Sequence, residues 1–163
     1  MPNCPCGSNK NYSECCGIYI NNASNPETPE KLMRSRYTAY TQANIDYIMR
    51  TMKVPALSHF HAESTKQWAM TVEWLGLEIK HSTIDENKGF VEFIAYFNEQ
   101  GKKNCIHERS EFHRLNGQWY YVDGKHLQSK SYSKVKIGRN DTCSCGSMKK
   151  YKACCMNKQN KHY

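Results

Sequence analysis

Phe90-Val91-Glu92-Phe93-Ile94-Ala95-Tyr96-Phe97 is apolar at every position but Glu92. Side chains alternate across a strand, so this run is apolar on both faces and belongs in the middle of a sheet. Turn formers bracket it, Asp85-Glu86-Asn87-Lys88-Gly89 before and Asn98-Glu99-Gln100-Gly101 after. Upstream, from Val72, Leu75, Leu77 and Ile79 alternate with Gly76, Glu78 and Lys80, which predicts a first strand. Downstream, Cys105 to Leu115 predicts a third strand. Asn116-Gly117 is a two-residue hairpin signal, and Trp119 to Val122 predicts a fourth. Short turns between all four imply an antiparallel meander.

The residues before the sheet have helical spacing. Thr28 is an N-cap candidate, Pro29 suits the first helical position, and Glu30 suits the positive end of the dipole. The helix runs to about Gln42, with Met33, Tyr37 and Tyr40 on one face. Asn44 caps a second helix, with Ile45, Ile48, Met49 and Met52 on one face and Pro55 as its end. A third is expected around Glu63 to Met70. Helices followed by a meander make an α+β domain.

Outside this domain one phrase occurs twice. Cys4-Pro5-Cys6-Gly7-Ser8-Asn9-Lys10-Asn11-Tyr12-Ser13-Glu14-Cys15-Cys16 and Cys143-Ser144-Cys145-Gly146-Ser147-Met148-Lys149-Lys150-Tyr151-Lys152-Ala153-Cys154-Cys155 share the pattern C-x-C-G-S-x-K-x-Y-x-x-C-C. Eight of the nine cysteines lie in these copies; Cys105, alone in a strand, is expected to be packing. Four cysteines in one short phrase are the ligand count for one tetrahedral zinc. The glycine permits a turn of positive φ, and the Lys-x-Tyr-x-x-Cys-Cys half suits a short helical turn with the tyrosine beside the cysteines. Two structural Zn2+ ions are therefore expected, on Cys4, Cys6, Cys15 and Cys16 and on Cys143, Cys145, Cys154 and Cys155. Disulfides and a redox-active thiol pair are the alternatives. Met1-Pro2-Asn3-Cys4 shows no basic-then-apolar export pattern, so a reducing, cytoplasmic location is expected, which favours metal over disulfides. A redox pair more often reads C-x-x-C. A closed tetrathiolate leaves no open position for catalysis, so these sites are expected to be structural or recognition modules.

Charge is uneven. The chain carries +8 overall, yet Lys125 to Tyr163 holds ten Lys or Arg against one acid, Asp141. Lys149, Lys150 and Lys152 are candidate contacts to an acidic protein surface or to RNA. No apolar run is long enough for a membrane span.

Both cysteine phrases resemble the SEC-C motif, the zinc knuckle found in the SecA translocation ATPase and in small bacterial proteins. The middle carries Leu32-Met33-Arg34-Ser35-Arg36-Tyr37, Ala39-Tyr40, Trp74-Leu75-Gly76-Leu77, Val91-Glu92-Phe93, His107-Glu108-Arg109-Ser110 and Phe112. In that order these phrases resemble the YchJ-like family over essentially the whole chain. The resemblance implies an NTF2-like cone, with helices folded over a curved sheet, flanked by two zinc knuckles. The expected segments are a knuckle at 1–20, the central domain at 27–127 and a second knuckle at 138–159, with linkers at 17–26 and 128–137. It implies no reaction. The protein is expected to be a non-enzymatic adaptor whose basic C-terminal knuckle meets an acidic protein surface, and the likeness to the SecA motif implies a partner among secretion chaperones or the translation machinery.

Glu92 is the candidate cavity residue, because a carboxylate in an apolar strand needs a partner. Period two places His107, Arg109, Glu111 and His113 on one face of the third strand and Glu108, Ser110 and Phe112 on the other. Arg34 and Arg36 on the first helix can reach the sheet. One reading is a polar cavity of Arg34, Arg36, Glu92, His107 and Arg109 that binds a ligand or works as an enzyme; the other is a Glu–Arg network fixing helix on sheet. No nucleophile elbow, P-loop or GxGxxG is present.

Overall fold

The structure is a computed structural model that describes residues 2–127, 140 and 149–153. Met1–Leu127 form one compact unit and Gln128–Tyr163 a second. In the first unit, a 3-10 turn at Tyr12–Glu14 leads into α1 (Cys16–Ile20), α2 (Pro29–Thr41), α3 (Ile45–Arg50) and α4 (Ala62–Thr71). The sheet follows as β1 (Glu73–Asp85), β2 (Lys88–Glu99), β3 (Lys102–Leu115) and β4 (Gln118–His126). Its order is β1-β2-β3-β4 and every pair is antiparallel.

Local signals set the helix starts. Thr28 Oγ1 accepts from Lys31 N (3.2 Å) ahead of Pro29, and Asn44 Oδ1 accepts from Tyr47 N (3.1 Å). Caps of this kind contribute about 1 kcal/mol each. α3 stops at Arg50, well short of Pro55. The Thr51 hydroxyl bonds back to the Tyr47 and Ile48 carbonyls, and the backbone is then captured by β4. Tyr121 N donates to Thr51 O (2.9 Å) and Lys53 N donates to Tyr121 O (2.9 Å). Tertiary pairing, not proline, ends this helix.

The strands run longer than their apolar cores, because cross-strand bonds carry them to tight turns at Glu86-Asn87, Gln100-Gly101 and Asn116-Gly117. β2 is an inner strand as expected. Val91, Phe93, Ala95 and Phe97 are buried, while Phe90, Glu92, Ile94 and Tyr96 face outward and are half-buried or exposed. Bulges at Trp74/Gly76, Ile79/His81 and Glu111/Phe112 bend the strands, which suits a sheet wrapping a helix.

α2 lies on the inner face. Its Leu32, Met33, Tyr37 and Ala39 meet Val91, Phe93, Ala95, Phe112 and Trp119 in one core with Tyr47 and Ile48 of α3. Each such large side chain contributes roughly 2 kcal/mol on burial. The Trp119 indole donates to Glu27 O (3.2 Å), tying β4 to the start of α2. Among the described residues no helix is long and apolar enough to cross a membrane.

Residues 17–26 depart from the linker expected there. Cys16–Ile20 is helical, and Tyr19 and Ile20 are buried in the core. The turn formers that suggested a linker begin only at Asn21, and the apolar Ile18-Tyr19-Ile20 run ahead of them packs inward. Cys105 is also corrected: it is exposed on the outer face of β3, opposite Tyr96, and is not part of the core.

Candidate functional site

The first cysteine phrase closes on itself. Cys4 N donates to Lys10 O (2.8 Å), Gly7 N donates to Cys4 O (3.3 Å), and Gly7 takes φ +76°, a conformation a side chain disfavours. The 3-10 turn then delivers Cys15 and Cys16. The Tyr12 ring lies against Gly17, where an added Cβ would meet ring atoms at 2.9 and 3.1 Å. The Sγ atoms of Cys4, Cys6, Cys15 and Cys16 all lie within 4.8 Å of one another.

These distances discriminate between the readings. Cys6 and Cys15 Sγ are 3.6 Å apart and Cys15 and Cys16 Sγ 3.9 Å. A disulfide needs about 2.05 Å. Four thiolates around an ion at about 2.3 Å stand about 3.8 Å apart. The thiols are unpaired and spaced as a tetrahedral donor set. The donors therefore fit one metal ion held by all four cysteines. Hydrogen bonds from Cys16, then Ser8 and Cys4, outweigh burial and hold the Cys6 thiol down at about 4, while the same Cys6–Cys16 bond and burial push Cys16 up. Ser8 Oγ lies 3.2 Å from Cys15 Sγ, which adds an outer contact to the tetrad.

The tetrad is built into the core. Cys4, Cys6 and Cys16 are buried with the residues of α2 and the sheet. Cys4 Sγ sits 3.7 Å from Thr38 Oγ1 in α2, and Arg34 donates to Cys6 O (2.8 Å) while paired with Glu30 (2.9 Å). Arg34 is thus a strut between knuckle and helix, not a cavity residue.

The second copy is described at Lys149–Ala153 only. Its 3-10 turn Tyr151–Ala153 repeats Tyr12–Glu14 at the spacing of the two phrases. Ala153 N donates to Lys150 O (2.9 Å) as Glu14 N donates to Asn11 O (3.1 Å). Lys149, Lys150 and Lys152 are exposed. Cys143, Cys145, Cys154 and Cys155 lie outside the described residues.

A cavity of about 530 Å³ opens between the helices and the inner face of the sheet. Its walls are aromatic. Trp74 packs on Tyr37, Trp68 and Phe97 with ring centroids 5.6, 5.4 and 6.1 Å away, and Trp68 donates its indole N–H to Glu99 (3.1 Å). The polar end is Arg36, Tyr40, Glu108, Ser110 and Tyr121. Arg36 is buried; its Nη1 donates to Ile48 O and Thr51 Oγ1, both at 2.7 Å, and its guanidinium lies 4.7 Å over the Tyr121 ring. Glu108 Oε1 accepts from Ser110 Oγ (2.7 Å) and Tyr121 OH (3.0 Å). Burial, reinforced by the Glu108 charge, pushes the Tyr121 phenol well above its ordinary range; burial raises Tyr40 as well. Gly124 makes room for this carboxylate: a Cβ there would collide with Glu108 Oε1 and the Tyr121 hydroxyl.

Of the cavity residues expected from sequence, only Arg36 lines it. Glu92, His107 and Arg109 share the opposite face of the sheet. Glu92 and His107 pair there at 2.8 Å, and Arg109 covers the Phe90 ring at 4.5 Å. Period two grouped these residues correctly, but α2 covers the other face. The residues inside are Glu108 and Ser110, the set opposite His107 and Arg109. The available signal was that Glu108 shares its alternating row with Ser110 and the apolar Phe112.

Comparison with known proteins agrees with this architecture. Residues 28–124 match the family described as "YchJ, middle NTF2-like domain", and residues 3–18 and 139–157 match the SEC-C motif. A UPF0225 protein of Vibrio parahaemolyticus is 43% identical, over 93% of this chain and 97% of that protein. One from Geobacter sulfurreducens is 43% identical over 93% and 96%. The solution structure of a SEC-C motif protein from Rhodopseudomonas palustris superposes with a TM-score of 0.72 at 36% identity, covering 77% of this chain and 99% of that one. A SEC-C motif protein from Psychrobacter arcticus gives 0.67 at 27% identity, covering 96% and 97%. These matches agree with the NTF2-like fold and the SEC-C cysteine tetrad of this chain, which belongs to the YchJ (UPF0225) family of SEC-C motif proteins.

Proposed function

We propose that this protein binds a small ligand in its central cavity, on a scaffold braced by a structural zinc ion. The observation that supports it most directly is the cavity itself. About 530 Å³ bounded by aromatic rings, with a few polar groups gathered at one end, is the form of a small-molecule site. A protein with no ligand to admit gains more stability by closing such a space than by keeping it.

Zinc suits the tetrad because it accepts four thiolates in tetrahedral array. With four protein ligands the ion has no free position, so its role is structural. A matching second ion on Cys143, Cys145, Cys154 and Cys155 is part of the proposal, as is a reducing cytoplasmic setting that keeps the thiols free. The test of the cavity uses N-phenyl-1-naphthylamine, a dye that brightens in apolar sites. Full-length, zinc-loaded protein is expected to enhance it. Ile106→Trp, which puts an indole into the cavity, is expected to abolish the enhancement while circular dichroism stays unchanged. Equal enhancement by both proteins removes the cavity from the function.

The charge of the C-terminal segment supports a second reading. Ten basic residues against one acid, with Lys149, Lys150 and Lys152 exposed within a SEC-C motif, suit docking on an acidic protein surface, as an adaptor to secretion or translation components would. Captured partners are compared between the full chain and residues 1–137. Equal recovery excludes the C-terminal segment. Retention that survives nuclease treatment argues against RNA as the bridge.

A further inference from the structure

The walls of the cavity say that its ligand is apolar; the charges at its polar end say more. Two ionic groups are buried there, and they are not equivalent. Arg36 is held by the protein at Nη1, which bonds to the Ile48 carbonyl and the Thr51 hydroxyl of the helical layer, and its guanidinium lies over the Tyr121 ring. Its whole residue is 3% exposed.

Glu108 is committed on one side only. Oε1 takes both hydrogen bonds, from Ser110 and Tyr121. Among the described residues the ring of His126 pairs with Oε2 at 4.0 Å when protonated, and that ring is 75% exposed. The Glu108 side chain keeps 12% of its surface open. Oε2 stays open to the cavity, so a donor that enters there can complete it. Asp123 adds a second acid to the same lining, with the rings of Tyr37, Tyr40, Phe60, Trp68 and Trp74, and aromatic faces favour cations over anions.

Resting on the ligand-binding reading above, we propose that the cavity selects amines: ligands with an aromatic or aliphatic body and a protonated nitrogen that donates to Glu108 Oε2. The body lies among Trp68, Trp74 and Tyr37. The ammonium reaches Glu108 beside the Tyr40 hydroxyl. An acid of the same size places its charge against Glu108 and is refused. His126 at the rim sets the strength of the discrimination, because any positive charge it carries competes for the same oxygen.

Three probes of nearly equal shape test this on the full, zinc-loaded chain: 2-phenylethylamine, 2-phenylethanol and phenylacetate, followed by calorimetry and by tryptophan fluorescence. The amine is expected to bind at least about tenfold tighter than phenylacetate, a difference of about 1.4 kcal/mol. Glu108→Gln is expected to remove that preference and to leave 2-phenylethanol within about threefold, which also shows that the variant folds. His126→Arg, a change at the exposed rim that leaves the core intact, is expected to weaken the amine alone. Phenylacetate binding as tightly as the amine overturns the charge selection, and so does a preference that survives in both variants. Binding of none of the three overturns the ligand-binding reading and the amine proposal with it.

Discussion

Cys4 Sγ lies 3.7 Å from the hydroxyl of Thr38, a fully buried residue in the middle of α2. Two residues to either side of Thr38, the same helix sends Arg36 and Tyr40 into the cavity. The thiol tetrad and the cavity therefore share one structural member. Arg34 adds a second tie through Cys6 O.

Removing the ion proposed for the tetrad is therefore expected to loosen the whole first unit. Buried thiols without an ion leave a core of unmatched polar sulfur, and a structural site carries several kcal/mol of folding free energy, on the order of 5 or more. Calorimetry of chelated protein, or of Cys16→Ser, is expected to show one transition at a lower Tm. A separate small transition with the main Tm unchanged would show that the knuckle folds independently.

The two faces of the sheet predict opposite sensitivities for arginine. Arg36→Met removes a buried cation with its two charge-assisted bonds to the Ile48 carbonyl and the Thr51 hydroxyl, at a cost of about 3 kcal/mol. Arg109→Met on the outer face only trades one cover for the Phe90 ring for another, and is expected to cost under about 1 kcal/mol. Urea midpoints distinguish the two.

Alkaline pH is expected to weaken the fold. Burial raises the phenols of Tyr37 and Tyr47 to about 12. In the unfolded chain they release protons near pH 10. Between those values the unfolded state binds fewer protons than the folded one, so stability is full below pH 10 and falls as pH rises to about 12. Each tyrosine contributes a slope of up to about 1.4 kcal/mol per pH unit. Tyr37→Phe is expected to flatten the fall measured by urea titration between pH 9 and 11.5.

Gly124→Ala is expected to cost about 1 to 3 kcal/mol, because the new methyl group occupies the place of Glu108 Oε1. The variant Gly124→Ala with Glu108→Ala relieves the collision with the carboxylate, though not that with the Tyr121 hydroxyl, so the two changes together are expected to cost less than the sum of each alone. A double-mutant cycle measures that coupling.

Much of this was legible in the residues. Thr28 and Asn44 announced their helices by cap chemistry that acts over three residues. Asn116-Gly117 announced its hairpin, and the Phe90–Phe97 run announced an inner strand. The thiol tetrad could be read because metal spacing is local, with all four donors of the first copy inside one short phrase. That Tyr19 and Ile20 join the core was not legible, since it depends on α2 lying across them.

The amino-acid order by itself determined the elements, their sequence along the chain, the donor sets and the two alternating side-chain rows of β3. Which row faces the cavity was decided only in three dimensions. Both rows carry an acid and polar neighbours: Glu108 and Ser110 on one, Glu111 and His113 on the other. Period two separates the rows without saying which one a helix will cover. That choice follows from where α2 finds the larger apolar surface, a property of Val91, Phe93, Ala95 and Phe112 assembled from two strands, and it exists only once those strands have paired.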